Sequence, residues 1–410
     1  MTTPHDTVSA AMRAALKAGD RERLATLRML LNEISNERIS SRSEVDEPAF
    51  LRLVRRAVKQ REDSAQQYQD GGRVLDRSEP PIDKACGEGI MPDGVERLRG
   101  LGIDAAALGG RRFRGIRYVG DGVEAVARFR RAPGVGLRRT RLQRALVDGA
   151  RAAGARLDFG STVRALLSRD VAHDGGDLTA DVVVGADGLR SRVRKWAGLD
   201  RGPHGSRFGV RRHYRSTPWT DLVEVHWADR AEAYVTPVGE TEVGVALLAD
   251  GLRGDFRELL RRFPLLEERL RHAEIVSRDL GVGPLERRVA AVARGRVALV
   301  GDAAGYVDAI TGEGLTAGLA QAEALADALA AGSLARYARA HRRIQRVPEL
   351  LMRSLLAIER RPRLRRRLLR TLAADPILFE RLLEVHTGER KVSRLGLRTF
   401  AGMGRLLLAD

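Results

Sequence analysis

Two short apolar runs, each followed by an aspartate and a glycine, constrain the fold of this chain more than any other feature. One is DVVVGADG at residues 181–188, and the other is VALVGDAAG at residues 297–305. Continuous apolar runs of this length are typical of strands buried in a parallel sheet. Ligands of open α/β sheets bind at the carboxyl ends of such strands. The sequence therefore predicts an α/β fold with a ligand site near Asp187 and Asp302.

The sequence pattern changes along the chain. An initial helical region is followed by alternating strands and helices, and the chain ends in arginine-rich helices. Three alternating runs, LVEVHWA, AEAYVTPVG and TEVGVALLA, are typical of an antiparallel meander inserted into the α/β region. The mixed sheet therefore has a parallel and an antiparallel part, and a helix is predicted from Thr140. The predicted segments are helical 1–73, parallel α/β 74–200, antiparallel 201–285, parallel α/β 286–332 and helical 333–410.

Three helices are predicted in the first region, each with an aspartate as its N-terminal cap. These aspartates are Asp6, Asp20 and Asp46. Apolar residues at helical spacing are expected to face inward. The predicted inward residues are Val8, Ala11, Met12, Ala15, Leu16, Leu24, Leu27, Leu31, Ile34, Phe50, Leu51, Val54, Ala57 and Val58.

Composition excludes several classes of protein. The net charge of +18 would suit nucleic acid, but only five of the 72 basic residues are lysine and the arginines are spread throughout the chain. Aromatic residues make up 4% and offer few stacking platforms. The single cysteine, Cys86, excludes a disulfide framework and a multi-cysteine metal site, and no metal is expected. A reducing cytoplasm and no membrane-spanning helix are expected.

The residues after the two strands allow two interpretations. Asp302 can accept hydrogen bonds from a sugar-like hydroxyl, with Gly312, Gly314 and Gly318 letting a ring or phosphate approach a helix end. Equally, this can be an ordinary strand-to-helix turn with Asp302 as a cap. Asp187 can orient a cofactor group or cap the next helix. The arginines near it and at the helix entrance can meet phosphate or face solvent; these are Arg139, Arg190, Arg192 and Arg194.

Together the motifs resemble a known family. GADGLRSRVR, followed about 110 residues later by VGDAAGYVDAITGEG, is similar to FAD-dependent oxidoreductases of the para-hydroxybenzoate hydroxylase and geranylgeranyl reductase superfamily. DKACGEGIMPDGVERLRGLGI at residues 83–103 is similar to the reductase-like branch. The resemblance covers residue 74 to about 400. It implies a Rossmann-type FAD-binding domain at 74–200 and 286–332, with a substrate subdomain at 201–285.

The resemblance also implies roles for individual residues. Asp76 would hold the adenosine ribose, Cys86 would lie near the isoalloxazine as a redox or proton-transfer participant, and Asp302 would lie near the ribityl chain. A small buried packing residue is the alternative for Cys86. The other cofactor-binding residues implied are Arg139, Asp187, Gly188, Gly301, Gly312, Glu313 and Gly314.

One part of the superfamily pattern is missing. Members begin with a strand, a G-x-G-x-x-G turn and a helix, whereas Gly19, Gly71 and Gly72 are the only glycines before Asp76. The turn supplies charge-assisted N–H bonds to the pyrophosphate, so its loss removes about 4–8 kcal/mol of binding free energy. The absent strand is a central one, so exposed strand edges are also expected. The sequence therefore predicts weakened FAD binding and impaired activity.

The helices in front resemble a second family. AALKAGDRERLATLRMLLNEISNERI and LVRRAVKQREDSAQQYQDGGR are similar to the N-terminal helices of the GatB/YqeY family, related to the tail domain of a glutamyl-tRNA amidotransferase subunit. This likeness covers residues 1–73 and implies tRNA or synthetase-related contact through residues 1–70. The basic residues concerned are Lys17, Arg21, Arg23 and Arg28, for which a solvated helix surface is the alternative. A recombination, a join in sequence assembly or an evolved two-part protein would each give this junction.

The sequence thus favours an FAD-dependent monooxygenase or reductase acting on a hydrophobic or isoprenoid-like small molecule, with NAD(P)H as a candidate electron donor. The alternative is a helical binding module of tRNA-amidotransferase type that carries a non-functional flavoprotein remnant. The C-terminal helices, LLMRSLLAIERRPRLRRRLL, either contact an anionic membrane surface or form a packed helical layer.

Overall fold

The computed structural model describes residues 3–18, 27, 30, 31, 34, 37, 45–55, 72–251 and 255–389. The chain divides into two compact units. One comprises Met1–Val74 with Gly154–Arg156, and the other comprises Leu75–Ala153 with Leu157–Asp410.

The described part of the first unit is helical, as the sequence predicts. Helix α1 spans Pro4–Ala18, and residues 47–55 are also helical. The Thr3 hydroxyl accepts the Asp6 N–H at 3.2 Å while the Asp6 carboxylate accepts from Thr3, so Thr3 rather than Asp6 is the cap of α1. Asp46 caps residues 47–55 as predicted, because its Oδ1 accepts the N–H of Ala49 at 2.8 Å.

Apolar side chains of these helices form one small core. Predictions of inward orientation fail for Leu16 and Leu51, which are 59% and 46% exposed. Leu53 is buried instead of Leu51. The buried face of the helix at residues 47–55 is thus rotated by about one residue position from the predicted face. The second predicted helix, including Leu24, lies mostly outside the described residues. The core comprises Val8, Ile34, Val45 and Leu53, packed by Leu27, Leu30, Leu31, Ala49 and Phe50.

Twenty-one strands are found among the described residues, and most of them are short. They are β1 (Arg73–Asp76), β2 (Gly89–Ile90), β3 (Arg111–Phe113), β4 (Gly115–Gly120), β5 (Val123–Arg128), β6 (Gly134–Gly136), β7 (Arg156–Phe159), β8 (Val163–Leu166), β9 (Asp170–His173), β10 (Gly176–Thr179), β11 (Val183–Gly185), β12 (Asp200–His204), β13 (Arg207–Arg215), β14 (Val223–Ala228), β15 (Ala231–Gly239), β16 (Glu242–Asp250), β17 (Glu274–Ile275), β18 (Leu280–Val282), β19 (Glu286–Val289), β20 (Ala293–Arg294) and β21 (Val297–Leu299).

Helices connect and cover these strands. They are α2 (Pro92–Gly100), α3 (Arg139–Ala152), α4 (Arg192–Trp196), α5 (Phe256–Leu260), α6 (Pro264–Leu270), α7 (Gly314–Ala330), α8 (Leu334–Glu359), α9 (Pro362–Ala374) and α10 (Pro376–His386). A 3₁₀ turn spans Gly301–Ala304. The helix predicted from Thr140 is confirmed as α3.

The parallel part of the fold is divided between two sheets. Strands β11 and β21 pair in parallel, with Val184 opposite Ala298, which confirms the prediction from their apolar runs. Strands β1 and β7 form a separate two-stranded sheet. In the described parts of the chain no strand joins the two sheets, and Val184 is 43% exposed. This division matches the absence of the central first strand from the sequence.

The largest sheet contains the predicted antiparallel meander. Strands β14, β15 and β16 pair antiparallel in succession, and β13 extends them. Strand β4 pairs in parallel with β14 and carries β5, so residues 115–128 also belong to this sheet. Helices α5 and α6 bury their apolar side chains against β13, β15 and β16.

The C-terminal helices close the other face of this sheet. Leu369 and Leu372 of α9, with Phe379 of α10, are buried against Ile116 and Trp227. The apolar faces of these helices therefore lie in the core, which favours the packed layer over the membrane-binding alternative. Among the described residues, no helix has the length and hydropathy needed to cross a membrane.

Candidate functional site

The two strand ends predicted from sequence lie at the same edge of one sheet. Because β11 and β21 are parallel, the Asp187–Gly188 turn and the Gly301–Asp302 turn both follow carboxyl ends. Lys84 lies close to both turns. A Cβ atom at Gly188 would be 4.0 Å from Lys84 Nζ, and the Lys84 charge acts on Asp302. The two turns therefore lie on either side of Lys84, as a common ligand site requires.

Arg194 fixes these turns to each other. Its guanidinium is 1% exposed and donates to Ala303 O at 3.1 Å, Leu189 O at 2.8 Å and Asp200 Oδ1 at 2.7 Å. Arg194 is therefore a structural residue rather than the phosphate ligand or solvated residue considered from sequence. The neighbouring arginines are also engaged within the protein, since Arg190 donates to Gly283 O and Arg192 stacks on Trp196.

Asp187 supports the start of helix α4, whose N-cap residue is Ser191, and a role at this helix end was one of the two sequence interpretations. Its Oδ2 accepts the N–H of Arg192 at 2.7 Å and that of Val193 at 3.2 Å. Gly188 follows with φ +74°, a conformation that strongly favours glycine. The Asp-Gly pair therefore shapes the turn that brings the chain past Lys84.

Asp302 lies within a cluster of cationic side chains. Burial raises the pKa of Asp302, while the charges of Arg139, Lys84 and Arg194 lower it. Arg139 is the first residue of α3, and its N–H donates to Glu88 Oε1 at 2.8 Å. Arg139 and Asp302, both predicted from sequence, are thus brought together. Lys84 was not singled out in the sequence. Lys84, Cys86 and Glu88 are each two positions apart, and in an extended segment such residues point to the same side, which was a signal that could have identified Lys84.

Cys86 belongs to the same cluster. Its thiol is half-buried, and its Sγ accepts the N–H of Glu88 at 3.3 Å. Burial raises the pKa of the Cys86 thiol, which Arg139 lowers and Glu88 and Asp302 raise further. Cys86 therefore lies beside the predicted cofactor residues.

The Gly312–Gly314 turn leads into helix α7. Gly312 has φ +68°, and its N–H donates to Ala309 O at 2.9 Å. Glu313 is the N-cap residue of α7, and burial raises the pKa of its carboxyl, which His386 nearby lowers. A helix N-terminus carries partial positive charge, which favours an electron-rich group in front of it.

Asp76 lies in a different sheet from these residues. It ends β1, its Oδ1 accepts the N–H of Ser78 at 2.9 Å, and its carbonyl accepts the N–H of Ser161. The Asp76 side chain thus stabilises the turn that follows β1. The structure brings together the residues near 86, 139, 187 and 302, whereas Asp76 stays on the other part of the divided sheet.

Several glycines in this region leave open space where a side chain would lie. A Cβ atom at Gly87, Gly301, Gly312 or Gly318 would have no heavy atom within 4 Å. Gly301 and Gly312 need glycine for their positive φ, but Gly87 and Gly318 do not. By contrast, a Cβ at Gly136 would lie 2.0 Å from Pro237 O. Gly87 and Gly318 therefore fit a surface that a flat ligand approaches closely.

A cavity of about 700 Å³ adjoins this surface. Its volume is in the range of small-molecule and cofactor sites. Gly301, Asp302, Glu313, Gly314 and Gly318 line one side, and helix α8 lines the other. These open glycines, with the carboxyl of Asp302 and its cationic neighbours, fit a flavin nucleotide.

Comparison with known proteins supports this interpretation. A family model described as FAD binding domain matches residues 71–240. This part of the chain is therefore similar to FAD-binding domains. The match confirms the resemblance found in the sequence and supports FAD as the cofactor. A second model, described as Yqey-like protein, matches residues 5–79 and confirms the second resemblance. The two matches overlap at residues 71–79, where Asp76 lies.

Named relatives agree with this assignment. The chain is 36% identical to a digeranylgeranylglycerophospholipid reductase of Methanothrix thermoacetophila, over 38% of this chain and 43% of the relative. It is 29% identical to a menaquinone reductase of Mycobacterium tuberculosis, over 64% of this chain and 71% of the relative. The chain thus spans less than half the length of the archaeal relative.

A solved structure confirms the mixed α/β fold. A flavoprotein/dehydrogenase from Cytophaga hutchinsonii superimposes with a TM-score of 0.67 at 16% identity, covering 79% of this chain and 89% of that one. At this identity the likeness concerns the fold alone.

Proposed function

We propose that this chain is an FAD-dependent oxidoreductase that reduces an isoprenoid-like or otherwise hydrophobic small molecule. The observation that carries the proposal is the convergence of Asp302, Arg139, Lys84 and Cys86 at the strand ends of an FAD-binding domain. Both relatives described above are reductases by name. Reduction is therefore favoured over the monooxygenase alternative, with NAD(P)H as the proposed electron donor.

The proposed FAD site uses the predicted residues. Asp302 would accept a hydrogen bond from the ribityl chain, and the N-terminus of α7 at Gly312, Glu313 and Gly314 would face the electron-rich edge of the ring. Arg139 and the Asp187–Gly188 turn would line the path toward the adenosine, whose ribose Asp76 would bind. FAD itself supplies the electron transfer. The chain orients the ring and keeps water from it.

The missing pyrophosphate turn limits this site. Without the N–H donors of a G-x-G-x-x-G turn, the chain loses about 4–8 kcal/mol of binding free energy, or at least about a thousandfold in affinity. We therefore expect weak FAD binding by the chain as it stands.

A titration tests both statements. The full chain is titrated with FAD by flavin fluorescence, beside a version in which a strand, a G-x-G-x-x-G turn and a helix precede Val74. The restored version is expected to bind at least about a thousandfold more tightly. Its control carries the same insertion with the three glycines changed to valine. Equal binding by all three forms would contradict the role given to the turn, and no binding by any form would contradict the flavoprotein proposal.

The second candidate is a binding function for the N-terminal helices. It is favoured by the Yqey-like match at residues 5–79. Residues Arg21, Arg23 and Arg28, proposed for tRNA contact, lie outside the described residues, as does the side chain of Lys17. A tRNA mobility shift with steep salt dependence would support this candidate. An unshifted tRNA at low salt would reject it.

A further inference from the structure

A buried polar network connects the largest sheet to the turn that carries Cys86. Its central members are Arg211 and His213 of β13 and Glu88, and each is at most 1% exposed. Buried charged and polar groups need partners, because an unpaired one loses its hydration without compensation. The contacts within this network therefore decide how the turn is held.

The hydrogen bonds fix the tautomer of His213. Arg211 Nη1 lies 2.9 Å from His213 Nδ1, and a guanidinium can only donate, so Nδ1 accepts. The proton of neutral His213 is then on Nε2, which donates to Glu88 Oε2 at 2.5 Å. Arg211 also donates to Asp83 Oδ1 and to Lys84 O at 3.0 Å. Strand β13 is thus hydrogen-bonded to the 83–88 segment near both ends of that segment.

Glu88 occupies a conformation that its surroundings must impose. Its φ is +58°, which costs a residue other than glycine about 1–3 kcal/mol. Its Oε1 accepts the N–H of Arg139 at 2.8 Å, and its own N–H donates to Cys86 Sγ at 3.3 Å. The carboxylate therefore joins β13, the start of α3 and the Cys86 turn.

We propose that Glu88 and His213 are positioning residues that hold Cys86 beside Arg139 and Asp302. The inference rests on the proposed function, because it assigns these residues a task within the FAD site. Neither residue was singled out in the sequence, since they are 125 positions apart.

The charges around the thiol make the proposal measurable. Burial raises the pKa of Cys86, and the negative charge of Glu88 raises it further. Glu88→Gln removes that charge and keeps an oxygen that accepts the Arg139 N–H, but its NH2 group then faces the Nε2–H of His213, so two donors meet there. The thiolate should then form at lower pH. The groups that face the thiol are Arg139, Glu88, Asp302, Tyr306 and, through Asp302, Lys84.

Cys86 is the single cysteine of the chain, so alkylation by iodoacetamide reports on this site alone. The rate is measured against pH on the full chain without added FAD. Glu88→Gln should shift the midpoint to lower pH, and it should also raise the high-pH plateau, because the hydrogen bond to His213 is lost. His213→Leu should raise the plateau, because the released turn exposes the thiol. His213→Gln, which keeps a donor near the Nε2 position, should restore the wild-type plateau.

A surface control and a folding check complete the experiment. Glu274→Gln changes an exposed carboxylate paired with Arg215 and should leave the profile unchanged. Circular dichroism establishes that each variant is folded. If His213→Leu does not fold, the midpoint and the plateau of Glu88→Gln decide the outcome.

Wild-type midpoint and plateau in every folded variant would overturn the proposal. Because the assay contains no flavin, it is independent of the FAD titration. Failure of every form to bind FAD, the restored version included, together with the predicted thiol shifts would reject the proposed function and keep the positioning role. FAD binding together with unshifted thiol profiles would keep the proposed function and reject the positioning role.

Discussion

Arg207 Nε donates to Asp308 Oδ2 at 2.9 Å, and this bond joins strand β13 to the segment that leads into the Gly312 turn. The same guanidinium contacts Glu232 at 2.6 Å and Glu359 at 3.7 Å. One buried cation therefore faces three buried carboxyls. Burial raises the pKa values of all three carboxyls, so the cluster favours their protonation.

The first prediction concerns Glu232. Burial raises its pKa from 4.5 to about 7, and Asp308 and Glu359 add to the shift while Arg207 opposes it. Because the folded state holds this proton more tightly than the unfolded state, the stabilisation is present below pH 4.5 and is lost as the pH rises through about 7. Between these pH values the wild-type protein should lose about 3 kcal/mol of unfolding free energy, since each pKa unit corresponds to about 1.4 kcal/mol. Glu232→Gln should not show this loss.

Urea denaturation followed by tryptophan fluorescence at several pH values measures this effect. Titrating groups outside the cluster are common to both proteins, so the difference between the two curves reports the titration of Glu232 and of the carboxyls coupled to it. A variant whose unfolding free energy keeps the wild-type dependence between about pH 5 and 8 would exclude a protonated Glu232.

The second prediction concerns His341, and its sign is opposite. Burial lowers the pKa of His341 from 6.5 to about 4. The unfolded state then binds the proton more tightly, so the stabilisation is present above pH 6.5 and is lost as the pH falls through about 4. The wild-type protein should therefore lose about 3 kcal/mol of unfolding free energy on acidification, and His341→Leu should not show this loss.

The same urea series, extended to acid pH, measures the His341 variant. Its unfolding free energy should fall less than that of wild type between about pH 6.5 and 4. Parallel curves for the two proteins in this interval would show that His341 is not buried in its neutral form.

The third prediction separates stability from cofactor binding at Gly318. A Cβ there meets no heavy atom within 4 Å, so Gly318→Ala should stabilise helix α7 by about 0.5–1 kcal/mol. Gly318 lines the cavity, and a methyl group facing a bound ring should lower FAD affinity by about tenfold, since overpacking costs ~1–3 kcal/mol.

Gly149→Ala is the matched control, because Gly149 is exposed in α3 and also has open space at its Cβ position. Both variants should gain stability in thermal unfolding, and only Gly318→Ala should weaken FAD binding in the restored chain. Equal FAD affinity in the two variants would place the ring away from Gly318.

The parts of the fold that follow from local pattern were predictable. The apolar runs of β11 and β21 predicted both their strand character and their parallel pairing, because strands of parallel sheets lack polar alternation. The 43% exposure of Val184 was not predictable from the run itself. The meander was equally clear, since short spacing forces neighbouring strands to pair antiparallel. The parallel pairing of β4 with β14 was not predictable, because it joins residues about 107 positions apart.

The candidate site was predicted in part for the same reason. Asp187, Asp302 and Arg139 stand next to recognisable strand or helix ends, so their positions follow from the elements that carry them. Glu88 and His213 have no such local signal, and their contact depends on how β13 packs against the 83–88 segment. The cap of α1 was misplaced because both Thr3 and Asp6 are good cap residues, and spacing alone does not choose between them.

The division of the parallel strands into two sheets has a consequence for the chain's behaviour at high concentration. In the described part of the chain β11 is an edge strand, and edge strands are templates on which another polypeptide can add. Oligomers that grow through this edge would compete with any segment able to complete the nucleotide site, so self-association and cofactor occupancy would oppose each other.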